Sequence, residues 1–125
     1  MRSFLLLFPI AALATACSGP TCQSSCERLY GDQPATGDEP AQCNLATLFP
    51  DTEPAEMMDS CMAHCNDAVA RNGEAGDYDP NKRAGAAEVS LDNERQAALW
   101  MDCVEQTSCD LLKTGVCAPT TNFPN

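Results

Sequence analysis

Apolar residues fall along this chain in short clusters separated by long polar stretches, and the spacing inside each cluster is helical. Cys22, Cys26, Leu29 and Tyr30 recur at i, i+4, i+7 and i+8, which puts them on one face of a helix over residues 21–30 with Gly31 as its stop. Residues 31–42, GDQPATGDEPAQ, collect Gly, Pro and Asp without periodicity and predict a loop. An apolar turn follows around Cys43, Leu45, Leu48 and Phe49. The segment PDTEPAEMMDSCMAHCNDAVARNG carries the strongest helical pattern, with Thr52 or Glu53 as cap, Pro54 in the first turn and acids at the N-terminal end. Its stripe is Met58, Cys61, Met62, Cys65, Ala68 and Val69, and Asn72-Gly73 ends it.

Residues 73–89 predict a second loop, too polar and too rich in Gly to pack. Ser90 then opens a third helix whose inward positions are Leu91, Ala98, Leu99 and Cys103, joined by Trp100 or Val104, with Trp100 read as a core residue rather than a ligand platform. Ser108 caps a short fourth helix that carries Leu111 and Leu112 and stops at Gly115. β-Branched residues are few and no stretch alternates for long, so no strand is predicted. The expected fold is all-α, a small disulfide-stapled bundle of three to four short helices with long loops over residues 21–117. Residues 118–125, APTTNFPN, make a flexible tail.

The one unbroken apolar run, Phe4 to Leu13, follows a positive Met1-Arg2 start and has the length of a secretion-signal core. Polar Ser18, Thr21 and Gln23 follow too soon for a transmembrane helix, which needs roughly 20 apolar residues. Export changes how the rest is read. From residue 17 onward Leu, Val, Ile and Phe together supply only 13 of 109 residues, and six basic residues face 18 acidic ones, a net charge of −12. A chain that poor in core-forming residues and that charged stays disordered unless stapled. Disulfides at about 2–4 kcal/mol each supply the staple, and an oxidising compartment permits them.

The chain has nine cysteines, an odd number. Leu13-Ala14-Thr15-Ala16-Cys17 resembles a bacterial lipobox, in which small residues precede a cysteine that is alkylated on sulfur and becomes the mature N-terminus; Ala14 stands where that motif usually has a larger aliphatic residue. The resemblance implies a signal peptide at 1–16, a lipid-bearing Cys17 with palmitate-type acyl chains, and a short tether at 17–20. Cleavage after Ala16 to give a soluble periplasmic or secreted protein is the alternative. Setting Cys17 aside leaves Cys22, Cys26, Cys43, Cys61, Cys65, Cys103, Cys109 and Cys117, an even set that can pair completely.

Cys22-x3-Cys26 and Cys61-x3-Cys65 each put two cysteines on one helical face a turn apart. Two such helices packed antiparallel bring Cys22 to Cys65 and Cys26 to Cys61. The twin CxxxC pattern resembles the α-helical hairpin scaffolds of small disulfide-rich proteins, an architecture that implies no activity. For the other four cysteines the expectation is Cys43 with Cys103 and Cys109 with Cys117.

MMDSCMAHC, residues 57–65, raises a sharper possibility. Met58, Cys61, Met62 and Cys65 share a face with His64 near its edge, and thioether, thiolate and imidazole are ligands for Cu(I). The segment is similar to the CxxxC units of helical copper-storage bundles, although those carry more cysteines and keep them reduced. Soft-metal binding is therefore the alternative function, against a reading in which the methionines fill gaps beside disulfides. Other chemistries lack their residues. There is no CxxC, no CxxCH and no G-x-S-x-G. The charge of −12 disfavours nucleic acid.

No enzyme activity and no cofactor are implied. In length, leader and CxxxC pattern the chain resembles the small cysteine-rich predicted lipoproteins of Gram-negative bacteria. That likeness implies a structural or interaction module held at the envelope by an N-terminal lipid, with an envelope protein as partner. Ser18, rather than an aspartate, points by analogy to the outer membrane. The step from Cys17 to Cys22 spans at most about 16–18 Å, so the domain would sit close to the bilayer.

Overall fold

The computed structural model describes residues 19–81 and 91–117. Among these residues four helices form: α1 (Cys22–Tyr30), α2 (Pro54–Val69), α3 (Glu94–Gln106) and the single turn α4 (Cys109–Leu112), with a 3-10 turn at Leu45–Leu48 between the first two. No strand occurs among the described residues; a lone antiparallel bridge joins Thr36 to Glu39 across Gly37. The fold is the expected small all-α one. α1 packs on both α2 and α3, and α2 packs on α3.

Local chemistry sets most of the helix ends. Thr21 caps α1: its hydroxyl accepts the Ser24 N–H at 3.1 Å while Ser24 Oγ accepts the Thr21 N–H at 2.9 Å, so two otherwise orphaned donors are satisfied. At the other end the Gly31 N–H donates to Glu27 at 2.7 Å. α2 starts at Pro54 after Glu53, whose side chain makes no capping bond. Asn93 caps α3, its Oδ1 accepting from the Arg95 and Gln96 amides at 3.1 Å each. Helix α3 therefore begins at Glu94, not at Ser90, which lies outside the described residues. The reason is that Asn93 carries an acceptor side chain free to turn back onto the first amides. Ser108 caps α4 as expected, through Leu111 N–H.

The core is built of cystines as much as of hydrocarbons. Leu29, Met57, Trp100 and Val104 are its largest fully buried side chains, and Cys26, Cys65 and Cys117 are buried with them. Helix rotation corrects two of the expected stripes. On α2, Met57 is buried with Cys61, Cys65 and Ala68, while Met58 and Met62 only flank the core and Val69 is 43% exposed. The bridges at Cys61 and Cys65 orient the helix, so the buried line runs through them and not through Met58. On α3, Ala97, Trp100, Cys103 and Val104 point inward; Ala98 is exposed and Leu99 is 39% exposed. The indole and the Cys103 bridge set that face, and Ala97 rather than Ala98 lies one turn from Trp100.

The loop after α2 also departs from expectation. α2 ends at Val69 instead of reaching Asn72-Gly73. Within 73–81 the chain packs: Tyr78 is half-buried against the core, Asn93 Nδ2 donates to Glu74 O at 2.9 Å, and the Cys117 N–H donates to Pro80 O at 3.0 Å. A polar loop packs here because its carbonyls serve as acceptors for side chains and amides of the bundle. Gly73 lies close against the cap of α3, since a Cβ there would stand 2.7 Å from Asn93 Nδ2.

Candidate functional site

The two CxxxC units face each other as their geometry demands. Cys22 is bridged to Cys65 and Cys26 to Cys61, with Cα–Cα distances of 5.7 and 5.9 Å, so α1 and α2 run antiparallel. The remaining four cysteines pair differently from expectation. Cys43 joins Cys109 and Cys103 joins Cys117, with Cα–Cα distances of 5.1 and 5.8 Å. Cys43–Cys103 and Cys109–Cys117 do not form. Chain direction explains the difference: α3 ends at Gln106, Thr107 is extended, and the backbone then turns towards residues 41–43 before Cys109.

Arg28 sits at that junction. Its Nη1 donates to Ala41 O at 2.8 Å, its Nε to Val104 O at 3.0 Å and its Nη2 to Thr107 O at 2.7 Å. Its own carbonyl accepts the Cys43 N–H at 2.6 Å. The planar fork thus ties the loop before Cys43 to the last turn of α3, where the helix leaves carbonyls unpaired and its dipole favours a cation. No carboxylate forms an ion pair with Arg28 among the described residues, whereas Arg71 pairs with Asp67 and Arg95 with Glu74 at 3.5 Å. Sequence reasoning passed over Arg28. A signal was present: it is the only Lys or Arg between Arg2 and Arg71, placed on a helix among acidic loops.

The soft-metal set is placed as follows. Cys61 and Cys65 are both in disulfides, and Met58 and Met62 lie partly buried beside them. His64 bonds back along its own helix, its Nδ1 donating to the Ser60 carbonyl at 2.8 Å. A disulfide sulfur is not a thiolate ligand, so a Cu(I) site of Met58, Cys61, Met62, His64 and Cys65 requires both hairpin bridges to be opened first. Among the described residues no three His, Cys, Asp or Glu side chains converge as a metal site. Cys17, the proposed lipid-bearing residue, lies outside the described residues.

Buried polar atoms complete the site's electrostatics. Among the described residues, Ser25 Oγ, Tyr78 Oη and Trp100 Nε1 are buried without a hydrogen-bond partner. Burial pushes the Tyr30 phenol well above its ordinary range, and burial followed by the Asp79 charge does the same for Tyr78. The arrangement is that of a disulfide-stapled scaffold. Helices long and apolar enough to cross a membrane are absent among the described residues. Comparison with protein-family models, with curated proteins and with solved structures gives no match to this chain.

Proposed function

We propose that this is an exported protein of the cell envelope, anchored by lipid on Cys17 at the outer membrane, whose stapled helical domain presents a rigid surface to a protein partner and catalyses no reaction. One observation carries the reading: the four bridges pair all eight cysteines that follow Cys17 with one another, as the assignment of Cys17 to lipid requires. Four disulfides are compatible with an oxidising compartment. The short step from Cys17 to Cys22 keeps the domain near the bilayer, and its acidic surface repels an anionic lipid face only within a Debye length of about 8 Å. Partners on the same membrane are therefore within reach.

The test is fractionation and intact mass of the protein made in a Gram-negative host. The wild-type chain is expected in the membrane fraction, heavier by the lipid and without alkylatable thiol. Cys17→Ala is expected in the soluble fraction with the same four bridges. A Cys17→Ala protein that stays with the membrane, or a wild-type chain with several reactive thiols that takes up copper, defeats the reading.

A further inference from the structure

We propose that Arg28 selects which cysteines pair, by holding Cys43 against Cys109 before that bridge closes and so leaving Cys103 to Cys117. Once α1 and α2 are stapled by Cys22–Cys65 and Cys26–Cys61, the other four cysteines have three possible pairings, roughly one third each if pairing is random. Something must choose. Arg28 is carried on the stapled helix α1, between Cys26 and Tyr30, so its position is set as soon as the hairpin forms. From there it reaches both segments that bear the cysteines in question. Ala41 is two residues before Cys43, and Thr107 is two residues before Cys109. The Arg28 backbone fixes Cys43 directly through the 2.6 Å bond from its amide. Binding Val104 O and Thr107 O also fixes the direction in which the chain leaves α3, so that Cys109 is carried towards Cys43 and Cys103 stays behind on the helix, towards Cys117.

The chemistry is ordinary thiol–disulfide exchange with a small-molecule disulfide, for which glutathione disulfide serves as the probe. The Cys43 or Cys109 thiolate attacks one glutathione sulfur and releases a glutathione thiolate. The second cysteine, as thiolate, then attacks the protein sulfur of the mixed disulfide and releases the other glutathione thiolate, and the two glutathione thiolates take up the two protons that the cysteines gave up. Two cysteine thiols and one glutathione disulfide become one cystine and two glutathione thiols. What Arg28 contributes is the effective concentration of one cysteine at the other.

The experiment is reoxidation of the purified chain, reduced and unfolded, in glutathione buffer, quenched by alkylation and mapped by proteolysis and mass. Cleavage after Glu105 separates Cys103 from Cys109, and cleavage after Lys113 separates Cys109 from Cys117. Wild type is expected to give Cys43–Cys109 and Cys103–Cys117 as the major pairing. Arg28→Ala is expected to fall towards the random share, with Cys43–Cys103 and Cys109–Cys117 rising several-fold, and Arg28→Lys, which keeps charge but loses the fork, to fall as well. The map reads bridges and needs no folded product. Thr21→Ala, which weakens α1 at its cap without touching the clamp, is expected to pair as wild type does. Native pairing in Arg28→Ala, or equal mispairing in Arg28→Ala and Thr21→Ala, would overturn the proposal.

Discussion

Replacing Ser25 by alanine should make this protein more stable. Ser25 lies on the inner face of α1 between the bridged Cys22 and Cys26, is fully buried, and its hydroxyl has no hydrogen-bond partner among the described residues. A buried hydroxyl left unsatisfied costs about 1–3 kcal/mol relative to its hydrated state in the unfolded chain. Alanine removes that cost and adds a few tenths of a kcal/mol in helix propensity. Against this stands the space left by one oxygen, on the order of 10 Å³, worth about 0.2–0.3 kcal/mol at 24 cal/mol per Å³. The balance favours Ser25→Ala by about 1 kcal/mol, which for a domain of this size raises Tm by roughly 4–8 °C. Thermal unfolding followed by circular dichroism, with disulfides intact, reads it directly, and urea unfolding checks that the slope is unchanged. Ser25→Val serves as the contrast: added methyls on a helix face flanked by two cystines should cost about 1–3 kcal/mol. A Ser25→Ala protein less stable than wild type by half a kcal/mol or more would show that the hydroxyl is bonded in solution, and the reasoning from its isolation would fail.

Gly73→Ala should destabilise by about 1–3 kcal/mol, because its Cβ would meet Asn93 Nδ2 at 2.7 Å and Asn93 Cβ at 2.8 Å and disturb the cap of α3; in an Asn93→Gly background, which removes both atoms, the same change should cost much less, a coupling that a double-mutant cycle in urea measures. The chain's two tyrosines should be silent to alkali while the fold lasts. Both phenols are held above the ordinary value of 10.0, so the folded state keeps protons that the unfolded state gives up. Their contribution to stability is complete below pH 10 and is lost as pH climbs from there towards the folded values. Absorbance at the phenolate band should rise only with unfolding, and a rise near pH 10 in the folded protein would contradict the burial of Tyr30 and Tyr78.

Much of this architecture is readable in the order of the residues, because its rules are local. Cysteines four apart on a helix share a face whatever else happens, so the antiparallel hairpin with Cys22–Cys65 and Cys26–Cys61 follows from spacing alone. Ser108 announces a helix start for the same reason, because a cap acts on amides two or three residues away, and Pro54 announces one through its fixed φ in a first turn. Composition, too, is a property of the chain, and a low apolar share with strong negative charge calls for staples in any arrangement. What only the tertiary structure decided is everything that depends on how one helix is turned against another. Met57 rather than Met58, and Ala97 rather than Ala98, face the core because cystines and an indole set the rotation, a choice of about 100° that periodicity with small and apolar residues on both sides leaves open. The last two bridges were decided the same way. Cys43, Cys103, Cys109 and Cys117 lie on loops and helix ends with no shared period, and their partners depend on the path of the chain out of α3. That path is held by carbonyl bonds to Val104 and Thr107 from a single arginine 76 and 79 residues away in sequence, and no local rule reaches that far.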